Sequence, residues 1–196
     1  AKVKEKMIDV TILPGADVII TPELQIYLKR EEYLTINRTG RYILAEFSHT
    51  TVPPNWEGFL LNLLNSGVTP IITHPERNGW FLNHPDALYP IVKKGVMTQI
   101  TAMSITGKFG EDIQKYSIFL LEHNLAHIIA TDAHSTTYRP PLLSDAVRVA
   151  AHVIGEEAAM AMVTSIPEAI VEGRPISLPL PIEYTGKKKT WLQRFV

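Results

Sequence analysis

The residues best suited to chemistry stand at the ends of short apolar runs. Glu46 closes Leu44-Ala45-Glu46, His74 closes Ile71-Ile72-Thr73-His74, and Asp132 and His134 follow Ile128-Ile129-Ala130-Thr131. Carboxylates and imidazoles are ligands of divalent cations. A carboxylate within an apolar strand carries a large desolvation cost unless it is paired or coordinated, which favours a ligand role for Glu46. His74 precedes Pro75-Glu76-Arg77, so a turn role and a ligand role both stand for it. Singly, Asp132 and His134 are as well explained by capping or backbone hydrogen bonding. Together the four would set like-charged carboxylates side by side, an arrangement that divalent ions stabilise.

Two arginines follow these groups closely: Arg77 comes three residues after His74, and Arg139 five after His134. Guanidinium groups suit bidentate capture of a phosphate, and acids and imidazoles beside them suggest metal-assisted phosphoester hydrolysis. A surface ion pair is the alternative for each arginine. Gln99-Ile100-Thr101-Ala102 leads through Ser104 into Gly107-Lys108-Phe109-Gly110, a loop that would line the pocket or bind phosphate at the next helix N-terminus. His123 and His127 have the spacing of a helical metal pair, but they straddle a helix end and a strand start, which points to structural roles. His49, His84 and His152 have no partner pattern, although His49 is near enough to Glu46 to reach a site from a loop.

These groups need elements to position them. Val10 to Leu13, Ile43 to Phe47, Pro70 to His74, Val96 to Thr101 and Ile128 to Asp132 read as strands. Trp56 to Asn65, Pro85 to Lys93 and Asp112 to Asn124 have helical spacing, and Ser144 to Val153, Glu156 to Val163 and Pro167 to Glu172 follow, the last closed by Gly173. Near-continuous apolar runs imply parallel strands buried on both faces, hence an α/β barrel or a doubly wound sheet. In a barrel the carboxyl ends of the strands converge on one face. Asp132 and His134 would project together if their strand persists through both. The 28 residues from Glu46 to His74 suit one βα repeat, placing the two on neighbouring strands. Thr21-Pro22-Glu23 reads as a helix start. Tyr33 to Ile36, then Asn37-Arg38-Thr39-Gly40, then Tyr42 to Phe47 read as either a hairpin or a tight helix-free link.

At 196 residues, one domain is the default. A net charge of -1 with interspersed signs argues against nucleic acid or an anionic membrane as partner. No run approaches the roughly 20 apolar residues of a membrane span, so the expectation is a soluble protein without membrane insertion. The absence of cysteine excludes a thiolate nucleophile and favours the cytoplasm. The opening at Ala1 suggests a natural start further upstream. From Pro175 onward the prolines favour extended chain, and Lys187-Lys188-Lys189 ahead of Trp191 to Val196 reads as a basic tail, either solvated or docked on a partner.

Pro14-Gly15-Ala16-Asp17, Leu44-Ala45-Glu46-Phe47, His74-Pro75-Glu76-Arg77-Asn78, Gln99-Ile100-Thr101-Ala102 with Gly107-Lys108-Phe109-Gly110, and Thr131-Asp132-Ala133-His134-Ser135 together resemble, in order, motifs of PHP-superfamily bacterial tyrosine-protein phosphatases. The resemblance runs from about Leu13 to Arg174. It implies a distorted seven-stranded TIM-like α/β barrel with up to three divalent ions, often manganese, acting on the phosphotyrosine tail of a membrane tyrosine autokinase that controls capsule or exopolysaccharide synthesis. It implies Glu46 and His74 as ligands of one ion, Asp132 and His134 as ligands of others, and Arg77 and Arg139 as holders of the phosphate. Asp17 stands where the family has a bridging glutamate, and a turn role fits it equally. The family's opening His-x-His strand, with a further Asp and His, has no counterpart here, so the first one or two βα units are expected to be missing and the site to be incomplete. The expected division is a partial barrel over residues 1–175 and an extended basic tail over 176–196. Other phosphoesterases acting on a small ester such as histidinol phosphate, nuclease-like phosphoesterases, and a non-catalytic binding module are the alternatives. Sequence leaves the metal identity open, and an oligomer is possible.

Overall fold

The computed structural model describes residues 10–21 and 34–186. The expected helix start at Thr21-Pro22-Glu23 runs out of those residues, and Tyr33 and the basic end from Lys187 onward lie outside them. Five strands form one sheet: β1 (Asp17–Ile19), β2 (Tyr42–Glu46), β3 (Thr69–Thr73), β4 (Met97–Thr101) and β5 (Ile128–Ala130). All four pairings are parallel, as the continuous apolar runs imply. The strands follow one another in chain order, without the reversal that defines a doubly wound sheet. Among the described residues the sheet is open, with β1 and β5 at its edges. The coarse α/β expectation holds; closure into a barrel is not formed here.

Helices supply the crossovers. α1 (Trp56–Asn65) joins β2 to β3, and α2 (Gly79–Asn83) and α3 (Tyr89–Val92) join β3 to β4. α4 (Ala102–Ile105) and α5 (Glu111–Glu122) join β4 to β5, and α6 (Ser144–Ile154), α7 (Glu156–Ala161) and α8 (Ser165–Val171) follow. α1 sets Trp56, Leu60 and Leu63 inward from spacings of four and three. Leu60 is fully buried, and its truncation to alanine is expected to cost about 2–5 kcal/mol.

The period of two sorts the strands onto two faces. Ile43, Ala45, Ile72, Ile100 and Ile129 join the larger apolar cluster, which α1 and α5 cover with Leu60, Leu63, Tyr116 and Leu120. Tyr42, Ile71, Met97 and Ile128 line the opposite face with Ile170 of α8. Alternation carries this second face through Leu44 to Glu46, and register pairs Asp17 with Leu44. Asp17 and Gln99 accordingly line a 340 Å³ groove on this face, beside Leu44, Ile71 and Ile128.

After α8, Gly173 takes φ +68° and ends the helix, and the chain runs on without helix or strand, packing Ile176 and Leu178 against the second face of the sheet. Tyr42 Oη donates to the Arg174 carbonyl at 2.6 Å, Asn124 Nδ2 to the Leu180 carbonyl at 2.9 Å, and the Ile182 N–H to the His123 carbonyl at 2.8 Å. This strap encloses a 420 Å³ cavity with Tyr42, Thr69, Met97 and His127, residues at the amino ends of four strands. Among the described residues, no helix is long and apolar enough to cross a membrane.

Four local expectations need correction. Val10 to Leu13 forms no strand; pairing with β2 falls on Asp17–Ile19, beyond Pro14, which lacks a donor for a ladder. Pro85 to Lys93 shortens to four helical residues, because Pro90 fits only the first turn of a helix. Ile36–Arg38 is a 3-10 turn, and β2 pairs only with the parallel strands β1 and β3, so no hairpin forms there. β5 stops at Ala130, so it does not persist through Asp132 and His134.

Candidate active site

The chemistry-bearing residues gather at the carboxyl ends of β2, β3 and β5, and Asp17 reaches them from the first position of β1. β2 delivers Glu46 as its last residue, and β1 delivers Asp17 as its first. β3 ends at Thr73, and His74 turns the chain sharply with φ +36° and ψ +50°. Asp132, just past β5, also has a left-handed backbone at φ +48°. Such a conformation costs a non-glycine residue of order 1–2 kcal/mol and persists only where the surroundings hold it. Both expected ligands at these strand ends are held this way.

Asp17, Glu46 and His74 offer ligand atoms that all lie within 4.8 Å of one another. His74 Nε2 is 3.3 Å from Glu46 Oε1, and Asp17 Oδ1 accepts from Thr73 Oγ1 at 3.1 Å. Desolvation by the surrounding protein, then the neighbouring Glu46 charge, push the Asp17 carboxyl up to about 6, and Asp132 adds in the same direction. Desolvation and then Arg77 lower the His74 imidazole, keeping it in the neutral form that ligates metals. Two carboxylates and one neutral imidazole with an excess of negative charge fit a divalent cation, which would relieve the repulsion that raises Asp17.

Beside this trio lies a positively charged pair. Arg77 Nη1 donates to Asp132 Oδ2 at 2.6 Å, and Arg139 Nη2 donates to the same oxygen. The two guanidiniums arrive from different loops. Arg77 ends the 3-10 turn Pro75–Arg77, whereas Arg139 is returned to Asp132 by a closed loop in which its carbonyl accepts from the His134 and Ser135 amides. Ser135 Oγ in turn accepts from the Tyr138 and Arg139 amides. Buried Arg139 Nε finds no partner among the described residues. The ring of Phe109 faces both arginines, with its centroid 5.0 Å from Arg77 Cζ and 5.8 Å from Arg139 Cζ. Of the two sequence readings of the Gly107 to Gly110 loop, this contact supports lining of the pocket; Glu111 and Asp112 already occupy the first turn of α5 with negative charge.

His134 stands apart from the trio. Its side chain is 60% exposed, against 8% for His74, and its Nδ1 lies 2.8 Å from the Asp132 carbonyl and 3.6 Å from Asp132 Oδ1. With β5 ended at Ala130, the two residues meet through a turn rather than a shared strand face. His123 and His127 do not form a metal pair: His123 Nδ1 lies 2.8 Å from the Phe119 carbonyl, and His127 Nδ1 accepts the Thr98 amide at 3.0 Å.

Two residues near the site were underweighted by sequence reading. His49 stacks obliquely against His74 at 5.9 Å between ring centroids, because Asn78 ties the loop after β2 to the loop after β3. Asn78 Nδ2 donates to the Ser48 and Thr51 carbonyls, while Asn78 Oδ1 caps α2 through the Trp80 and Phe81 amides. Glu76 is fully buried, and its Oε1 accepts from the Thr101 amide at 3.0 Å and Ser104 Oγ at 2.6 Å. Burial raises its carboxyl, and Oε2 finds no partner among the described residues. A capping asparagine and an acid inside a Pro-Glu-Arg-Asn run were the available signals.

A sequence profile described as "Capsular polysaccharide synthesis, CpsB/CapC" matches residues 1–172. The chain belongs to the CpsB/CapC family. It is 38% identical to CapC of Staphylococcus aureus over 138 residues, 70% of this chain and 54% of the relative. It is 37% identical to the tyrosine-protein phosphatase YwqE of Bacillus subtilis over 146 residues, 74% of this chain and 57% of the relative. The chain thus spans little more than half the length of these two relatives. It also resembles a chain from the crystal structures of YwqE from Bacillus subtilis and CpsB from Streptococcus pneumoniae, described as unique metal-dependent tyrosine phosphatases. That match has a TM-score of 0.88 and 32% identity, and covers 94% of this chain and 74% of the other.

Proposed function

We propose that the strand-end cluster belongs to a metal-dependent phosphatase acting on phosphotyrosine, with the tail of a tyrosine autokinase of capsular polysaccharide synthesis as substrate. The observation that carries this reading is the adjacency of the Asp17, Glu46 and His74 trio to the Arg77 and Arg139 pair. The names of the relatives supply the substrate class. Asp17, Glu46 and His74 are assigned as ligands of one divalent ion, with Asp132 and His134 as ligands of further ions; manganese is the proposed metal. When bound, such ions supply Lewis acidity and lower the pKa of a coordinated water.

The chain's own residues do the rest. Arg77 and Arg139 bind the phosphoryl oxygens and offset the charge that builds on them during transfer. Their guanidiniums, both turned to one carboxylate oxygen, sit close enough to share a single anion. His74, held neutral, keeps its lone pair available, and the buried Glu76 anchors the turn that carries both His74 and Arg77. The chain-order parallel sheet is the arc of a TIM-like barrel of PHP type, and residues 1–175 are proposed as that domain, with 176–196 as its extended appendage. A cytoplasmic location fits a cysteine-free chain.

Hydrolysis of a phosphotyrosine peptide by the full chain, with manganese and then with excess chelator, tests the reading. Release of phosphate that stops on chelation is expected. Chelator-resistant turnover, or faster turnover of histidinol phosphate than of the peptide, overturns it.

A further inference from the structure

We propose that Phe109 is a positioning residue that presents Arg77 and Arg139 as one phosphate clamp. The inference rests on the assignment of those arginines to phosphate. Three loops converge on this ring: Arg77 comes from the loop after β3, Phe109 from the loop after β4, and Arg139 from the loop after β5. Phe109 belongs to neither apolar cluster, so the core does not account for a half-buried phenyl group here. Its loop is bracketed by Gly107 at φ +77° and Gly110 at φ +105°, backbone conformations that favour glycine. A Cβ on Gly107 would also meet Gln114 Oε1 at 2.8 Å. The loop is therefore built around a turn that lays the ring against the arginines.

Electrostatics explain why a ring is needed. Two guanidiniums converge on the single oxygen Asp132 Oδ2, so two positive charges share one negative partner. The negative face of an aromatic ring attracts both cations without presenting a charge that would repel phosphate. A carboxylate in the same place would hold the arginines more strongly and exclude the substrate. An aliphatic side chain of similar volume would fill the space but attract neither guanidinium, leaving Asp132 alone to hold the two together.

The test measures binding of inorganic phosphate to the full, manganese-loaded chain by calorimetry, for Phe109→Leu, Phe109→Met and Phe109→Tyr. Losing two partly exposed cation–π contacts is expected to raise Kd about tenfold in the leucine and methionine variants, with the tyrosine variant within about threefold of the parent. Thermal midpoints report whether each variant keeps its fold. Unchanged phosphate affinity in folded Phe109→Leu or Phe109→Met overturns the proposal, and so does an equal loss in all three variants. Arg77→Ala and Arg139→Ala separate the two assignments. If they weaken phosphate while Phe109→Leu does not, only the role of Phe109 falls. If they leave phosphate binding unchanged, the clamp itself falls and the role of Phe109 with it.

Discussion

His74 and His127 are both buried, at 6% and 3% exposure, and lie at opposite ends of the same parallel sheet. Desolvation lowers both imidazoles, His127 to about 4. Burial alone therefore does not mark a functional histidine. What differs is the company each keeps. His127 meets backbone, with Nδ1 accepting the Thr98 amide at 3.0 Å, whereas His74 meets Glu46, His49 and the fields of Arg77 and Asp132. Around His74 charged side chains of both signs crowd together, and two of the residues there, His74 and Asp132, have left-handed backbone.

Removing the charged company of His74 has the largest expected effect. His74→Ala and Glu46→Gln are expected to abolish phosphatase turnover, beyond the roughly hundredfold that loss of a partner supporting a metal ligand costs. His127→Gln should leave turnover within about threefold, because it touches only structure. Steady-state kinetics on the two sets of variants checks this contrast, and equal losses would erase the distinction.

His127 instead governs stability against acid. Its folded-state value lies below that of the unfolded chain, so the unfolded state binds the extra proton between about pH 6.5 and 4. Stability from this group is complete above that window and falls as pH drops through it, by about 3 kcal/mol for a shift from 6.5 to about 4. Asp17, raised to about 6, slopes stability the opposite way over much of this window, so urea denaturation of the parent and of His127→Gln across pH 4 to 7 is compared, and the difference between them should shrink as pH falls through it.

Glu76 is a buried acid of the site whose role is structural, as that of His127 is. Glu76→Ala strips acceptors from the Thr101 amide and Ser104 Oγ and should cost about 2 kcal/mol. Glu76→Gln retains one oxygen for both donors and should cost less than about 1 kcal/mol while keeping most activity. Thermal denaturation of the two variants separates them. At the small end, Leu180→Ser changes an 83% exposed side chain on the strap and should stay within about 0.5 kcal/mol in the same assay.

Much of the scaffold was legible because apolar period speaks directly of burial. Trp56–Asn65 and the start of α6 at Ser144 fell where spacing put them, and the 28-residue interval set Glu46 and His74 on adjacent strands. Val10 to Leu13 misled because an apolar run says nothing of which residues find a pairing partner. The left-handed turns at His74 and Asp132 were illegible, since neither residue requires φ above zero. Glu76 and Phe109 were obscured for a related reason: their roles depend on Ser104, Arg77 and Arg139, which only the folded chain brings to them.

The strap from Arg174 to Ile182 spans the sheet as a tie-rod spans an arch. Through Tyr42, Asn124 and His123, the strap ties the amino end of β2, whose last residue is Glu46, to the end of α5 ahead of β5. The far end of β2, where Glu46 stands, thus belongs to a strand that is moored at its other end by the chain's last described segment.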